Sequence, residues 1–475
     1  MLLVIDIGTS TFKAALVNYD GTWGKAAAIP MTMGKSDGLR HEANPGQWLR
    51  AFGDALSRLG SLARVEALVV SGNGPTLAPV TGEPGLAKGE LVLPADTARL
   101  WLDRRATEEA KTVSAVAGAY VDPSFFLPKA LAIKNQEPAL YGRTRLFLST
   151  AEYLAYALTG EARSVIPSAG FERWYWDDAV LDVLDLDREK FPPFIFPGEC
   201  IGTVSLAVAA RFGFSSSVRV IAGGPDFFVS ILGTGTVSPG QACDRSGTSE
   251  GINVCTQERI SDPRLMSYGH PVKPFWNLSG IISTSGKAIG WGREILGVAD
   301  KPHAAFYELA AAAPAGSGGV VFLPYLAGER APIWDPKIRG VFSGLNLSTG
   351  QEALARSIAE GVCFAIRDVI TVMEEVKAPV KELRVTGGPA ESEFLNQLKA
   401  DVSGRPVLLP ARRDAELLGL AVLGAVTQGK YGSAGEAAGA LVRIERIFTP
   451  DRGKKQGYDT IFEVYRGLYR ALKPE

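Results

Sequence analysis

The chain is poor in the residues that metal centres and disulfide frameworks require. Its four cysteines, Cys200, Cys243, Cys255 and Cys363, show no Cys-x-x-Cys spacing. They read as buried thiols in a reducing cytoplasm and argue against a disulfide scaffold. Only three histidines are present, His41, His270 and His303, too dispersed for a His-built metal site. A surplus of charge is also missing: 50 Lys and Arg stand against 51 Asp and Glu, a net of −1. Nucleic acids and anionic membranes call for a basic footprint, so neither is an expected partner. No apolar run approaches the roughly 20 residues of a membrane span. The apolar residues 1–5 have no basic flank and are followed by Asp6, unlike a signal peptide. The expectation is a cytoplasmic protein whose partners are small molecules.

The composition that remains, 46% hydrophobic and 21% charged, is that of a globular protein. At 475 residues the size prior gives two domains of similar length. One stretch organises the rest. A strand-like run leads into Asp6-Ile7-Gly8-Thr9-Ser10, a second follows from Phe12 to Tyr19, and Asp20-Gly21 is a hairpin turn signal. The Gly-Thr-Ser turn is therefore the tip of a β-hairpin, predicted at the edge of a buried sheet. Glycine lets backbone N–H groups close around an anion there. The Asp6 carboxylate would repel a bare phosphate, so the arrangement suits a nucleotide carrying Mg²⁺. Gly247-Thr248-Ser249 repeats the turn 239 residues later, again before a strand-like run. Arg245 stands where Asp6 stands in the first copy, so only the first half offers the metal-side acid.

Other stretches place candidate ligand groups at strand ends, where α/β sheets bind. The strand-like 65–71 runs into a loop containing Asn73 and Gly74, a candidate substrate loop. Trp101-Leu102-Asp103-Arg104-Arg105 combines an aromatic ring with charge, a pattern able to stack on and hydrogen-bond a polyol. The apolar 218–222 runs into Gly223-Gly224-Pro225-Asp226-Phe227, an acid presented on a glycine-rich turn. Thr349-Gly350-Gln351-Glu352 reads as a capping box. It opens a long helix with Leu354, Ile358, Val362, Ile366, Val369 and Met373 on its apolar face. The strand-like 383–386 enters Gly387-Gly388 and a helix from about Ser392, a natural nucleotide contact. Residues 414–426 read as a further apolar helix.

Together these motifs, with Leu127-Pro128-Lys129 and the segment from Phe322 to Pro336, resemble the FGGY family of carbohydrate kinases in the sugar kinase/Hsp70/actin superfamily. The resemblance implies an α/β fold of two actin-like (ribonuclease H-like) domains, 1–240 and 241–475, with a central cleft. It also implies phosphorylation of a sugar or polyol hydroxyl, with ATP and Mg²⁺ as cofactors. Asp226 takes the place of the catalytic base. Asp6, with Asp226, takes the metal side. Gly8, Thr9, Ser10, Lys13, Gly247, Thr248, Ser249, Gly286, Gly387, Gly388 and Ser392 take the ATP side. Asn73, Gly74, Trp101, Asp103, Asp226 and Phe227 take the acceptor side. Length and Trp334-Asp335-Pro336 favour a ketose such as xylulose, with glycerol or another polyol, or a non-catalytic nucleotide-binding relative, as alternatives. A homodimer is compatible with the resemblance. Two departures bear on the acceptor. Gly74-Pro75 and Phe227 stand where relatives often carry side chains that hydrogen-bond the sugar.

Overall fold

In the computed structural model, which describes residues 1–472, the chain forms two compact α/β units. The first is Met1–Gly233 together with Glu416–Leu441, and the second is Thr234–Ala415 together with the residues from Val442 on.

The first unit is built on a six-stranded sheet in the order Cys200–Thr203, Arg219–Pro225, Ala67–Gly72, Leu2–Ile7, Thr11–Val17, Trp23–Pro30. Leu2–Ile7 and Ala67–Gly72 are buried along their whole length, which is why their sequences are nearly unbroken apolar runs. The predicted hairpin forms, with Asp6 opposite Lys13 and Ile7 opposite Phe12. It does not lie at a sheet edge, however. Leu2–Ile7 also pairs in parallel with Ala67–Gly72, and Thr11–Val17 pairs with Trp23–Pro30, so both strands of the hairpin are internal. Ala67–Gly72 in turn pairs in parallel with Arg219–Pro225. The registers set Asp6 beside Ser71, and Gly72 beside both Ile7 and Pro225. Three carboxyl strand ends therefore finish level, and the turns that follow them share one side of the sheet.

The second unit repeats this plan. In its seven-stranded sheet the hairpin of Gln241–Ser246 and Glu250–Thr256 is flanked by Trp276–Ile282 on one side. On the other side, Glu382–Thr386 and then Val407–Pro410 add in parallel. The Gly-Thr-Ser echo in the sequence is thus a structural repeat. The long helix Gln351–Glu375 buries Ile358, Val362, Ile366, Val369 and Met373 as the spacing predicts, while Leu354 is half-buried. The expected capping box is absent. Gly350 is the N-cap without a side-chain bond, because the Thr349 hydroxyl already accepts from the Asn346 N–H at 3.0 Å.

The division between the units differs from the expected 240/241. It falls at 233/234, and Glu416–Leu441 returns to the first unit. The reason is visible on the helix Ala415–Thr427. A Cβ on Gly419 would lie 1.9 Å from the Val229 carbonyl, and one on Gly424 2.7 Å from a Val69 methyl. Two bare glycine faces let this helix lie against the first unit closer than any side chain would permit.

Candidate active site

The end of the first sheet gathers carboxylates. Asp6 closes on Ser71, whose Oγ donates to Asp6 Oδ1 at 2.7 Å. Asp226 is the first residue of the helix Asp226–Gly233, and its Oδ1 accepts from the Phe227 N–H at 2.6 Å. Ser230, one turn on, donates to the Asp226 carbonyl at 2.7 Å and to Glu416 Oε1 at 3.2 Å. Asp6 is 6% exposed, and its pKa is pushed up to about 7. Burial is the largest cause, followed by the charges of Glu416 and Asp226. The Ser71 hydrogen bond and Lys13, opposite on the same face of the hairpin, act the other way. Three acids thus share one field that Lys13 offsets in part, which is the environment a hard cation relieves. Among the described residues no group of three or more His, Cys, Asp or Glu side chains is spaced to ligate one ion directly.

Glu416 has no place among the expected site residues. An acid in the first turn of an apolar helix is ordinary, because it complements the helix dipole. Only its return to the first unit brings it near Asp6.

In the second unit three turns meet. A Cβ on Gly286 would lie 2.2 Å from the Gly247 carbonyl, and one on Gly387 1.8 Å from the Ser246 carbonyl. Here glycine is required by close approach. The turns border a pocket of about 1090 Å³ lined by Gly247, Thr248, Gly286, Gly388 and Ser392, five of the expected nucleotide residues. Ser249 and Gly387 do not line it. Apolar walls come from Ile289, Trp291, Tyr307 and Phe394. Trp291 stacks on Phe322 at 5.8 Å, and Tyr307 lies 6.4 Å from Phe394. Ser392 caps the helix Glu393–Ser403 by accepting from the Leu395 N–H.

Comparison with known proteins agrees with this geometry. Residues 1–233 match the N-terminal domain, and residues 245–428 the C-terminal domain, of the FGGY family of carbohydrate kinases. The chain belongs to that family. It is a carbohydrate kinase with the family's two-domain actin-like fold. The xylulose kinase of Escherichia coli (strain K12) is 30% identical over 495 residues, covering 100% of this chain and 99% of that protein. The gluconokinase of Bacillus subtilis (strain 168) is 24% identical and covers 99% and 96%. A crystal structure of a "xyloylose kinase" from Brucella ovis superposes with a TM-score of 0.85, at 26% identity and 99% coverage of both chains.

Several residues expected on the acceptor side of this FGGY kinase are turned inward. Asn73 is 4% exposed; its Nδ2 donates to the Ile7 carbonyl and its Oδ1 accepts from Thr76. It staples the loop to the first strand. Asp103 is 1% exposed, and its oxygens are taken by the Arg105 guanidinium and the His41 N–H. Trp101 is half-buried, and its indole N–H donates to Thr9 Oγ1 at 2.9 Å, tying this segment to the first Gly-Thr-Ser turn. Phe228 enters the core, whereas Phe227 is half-exposed beside Asp226.

The segment is held by a residue to which the sequence motif assigned no role. Lys129 is fully buried, and its ammonium donates to the carbonyls of Pro75 at 2.7 Å and Leu100 at 2.6 Å. Burial pulls its pKa down to about 7, against the charge of Asp103. One side chain thus joins the 73–76 loop to the Trp101 segment. Lys129→Met leaves the part-buried Pro75 carbonyl without its donor, at about 1–3 kcal/mol, whereas the Leu100 carbonyl keeps the Asp103 N–H. The expected result, read by urea unfolding, is a loss of roughly 1–3 kcal/mol. The acceptor KM is expected to rise more than that for ATP.

Proposed function

We propose that the protein transfers the terminal phosphoryl group of ATP to a hydroxyl of a ketose such as xylulose. The observation that carries this reading is the alignment of Asp6 and Asp226 at level ends of the first sheet. Phosphoryl transfer asks little covalent chemistry of a protein. It needs positioning, charge neutralisation and an acceptor for the hydroxyl proton. Asp226, half-exposed at the start of its helix, takes that proton as the alcohol oxygen bonds to the γ-phosphorus and the bond to the bridging oxygen breaks. Asp6 in its ionised form, with Asp226 beside it, would hold Mg²⁺. When bound, Mg²⁺ supplies positive charge to the phosphate oxygens. In the first unit Gly8, Thr9, Ser10 and Lys13 serve the phosphates. In the second unit Gly247, Thr248 and Ser249 do the same, while Gly286, Gly387, Gly388 and Ser392 border the nucleoside.

The ketose is favoured by the xylulose kinases among the relatives. A second acceptor class, glycerol or another polyol, is favoured by Gly74-Pro75 and the half-exposed Phe227, none of which offers a side-chain hydrogen bond. A panel of ketoses, aldoses, polyols and gluconate with Mg-ATP, followed by ADP release, tests the reading. Xylulose is expected to give the highest kcat/KM. If no compound exceeds background ATP hydrolysis, the catalytic reading gives way to nucleotide binding alone.

A further inference from the structure

Beneath the three turns of the second-unit pocket lies a charged cluster closed to solvent. Lys399, on the helix that follows Gly387-Gly388, is 1% exposed, Asp244 0% and Glu250 1%. The Lys399 ammonium donates to Asp244 Oδ2 at 2.6 Å, to Ser246 Oγ at 2.8 Å and to Glu250 Oε1. Ser246 and Ser285 each donate to Glu250, one to each carboxylate oxygen. Ser246 and Glu250 are the residues on either side of Gly247-Thr248-Ser249. Ser285 opens the helix Gly286–Ile295, whose first two N–H groups donate to the Gly247 and Thr248 carbonyls.

A buried ion cluster is a poor source of stability, because well-packed apolar residues of similar volume usually serve as well or better. Its worth here lies in where it ties. One cation joins the helix after Gly387-Gly388, both flanks of the Gly-Thr-Ser turn and the start of the helix that braces that turn. Burial, then the charge of Glu250, raises the Asp244 pKa well above its ordinary value. Burial also pushes Glu250 upward, but Lys399 and the hydrogen bonds outweigh it and leave Glu250 ionised.

We propose that Lys399, with Glu250, is a positioning residue for this kinase's second phosphate turn, setting affinity for the nucleotide's phosphates without touching them. The proposal rests on the reading of Gly247-Thr248-Ser249 as a phosphate site. Lys399→Met alone strands two buried carboxyl groups, so the working variant is Asp244→Asn/Glu250→Gln/Lys399→Met, which keeps volume and removes all three charged groups. The measurement is calorimetric binding of ADP and of adenosine to the full-length protein, with KM for ATP and for the sugar alongside. The expected result is about a tenfold loss of ADP affinity, the scale of indirect ligand support. Adenosine affinity and the sugar KM stay unchanged, and the KM for ATP rises in step. Equal losses for ADP and adenosine would overturn the proposal, as would a folded variant with no change. If the wild-type protein binds ADP no better than adenosine, the phosphate reading itself fails, a result seen before any substitution is made.

Discussion

Asp226→Ala is expected to fold normally and to lose phosphorylation by about two to four orders of magnitude, the range for a positioned proton acceptor. The fold should survive because the Asp226 side chain supports little of it. The carboxylate is half-exposed and caps its own helix through the Phe227 N–H. The Ser230 hydroxyl bonds the backbone carbonyl of Asp226, which the substitution keeps. Losing a first-turn acid costs about 0.3–1 kcal/mol. Asp226→Asn separates charge from shape, since an amide accepts a hydrogen bond but takes no proton at neutral pH. It should fall as far as the alanine variant, with acceptor and ATP KM values little altered. Turnover near wild type in either variant would remove Asp226 from the role of base. Equal melting temperatures of the three proteins are the control that the loss is chemical.

Asp6→Asn is expected to stabilise the metal-free protein above neutral pH while lowering turnover by about two to three orders of magnitude. The stability effect follows from the raised acid. Its folded pKa of about 7 lies above the ordinary 3.8. Between those values the native protein holds a proton that the unfolded chain has released, so stability declines as pH rises through that window. Above pH 7 the ionised group carries the full penalty, roughly a few kcal/mol. Asparagine carries none. In chelator at pH 8 the variant should therefore melt higher than wild type, and the gap should close towards pH 4. Added Mg²⁺ should raise the wild-type melting temperature at pH 8 and leave the variant's unchanged. A wild-type stability indifferent to both pH and Mg²⁺ would mean that Asp6 is neutralised from within the protein and does not serve a metal.

Both predictions turn on residues whose setting is local in the chain. Asp6 precedes a glycine turn between two apolar strands, and Asp226 follows a strand and two glycines. In each case the backbone geometry of the neighbouring residues places the acid at a strand end, so a linear reading finds it. The duplicated hairpin is legible for the same reason, as is the apolar face of Gln351–Glu375. What a polar side chain does once placed is another matter. Asn73 and Asp103 sit in the expected loops but face inward, because the Ile7 carbonyl and the His41 N–H, 66 and 62 residues away, claim them. Glu416 reaches the acid site only because Gly419 and Gly424 let its helix lie against the first unit.

The sequence by itself determined the class of the fold, its internal repeat, the two acids at strand ends and the glycine turns. These depend on periodicity and on φ/ψ freedom, which are properties of neighbouring residues. Only the tertiary structure decided that Lys129 and Lys399 are buried hubs. A lysine in a helix carries no mark of its partners, and Lys399 meets Glu250 across 149 residues. Burial and the pairing of charge arise when distant segments exclude water together, and no local pattern encodes that.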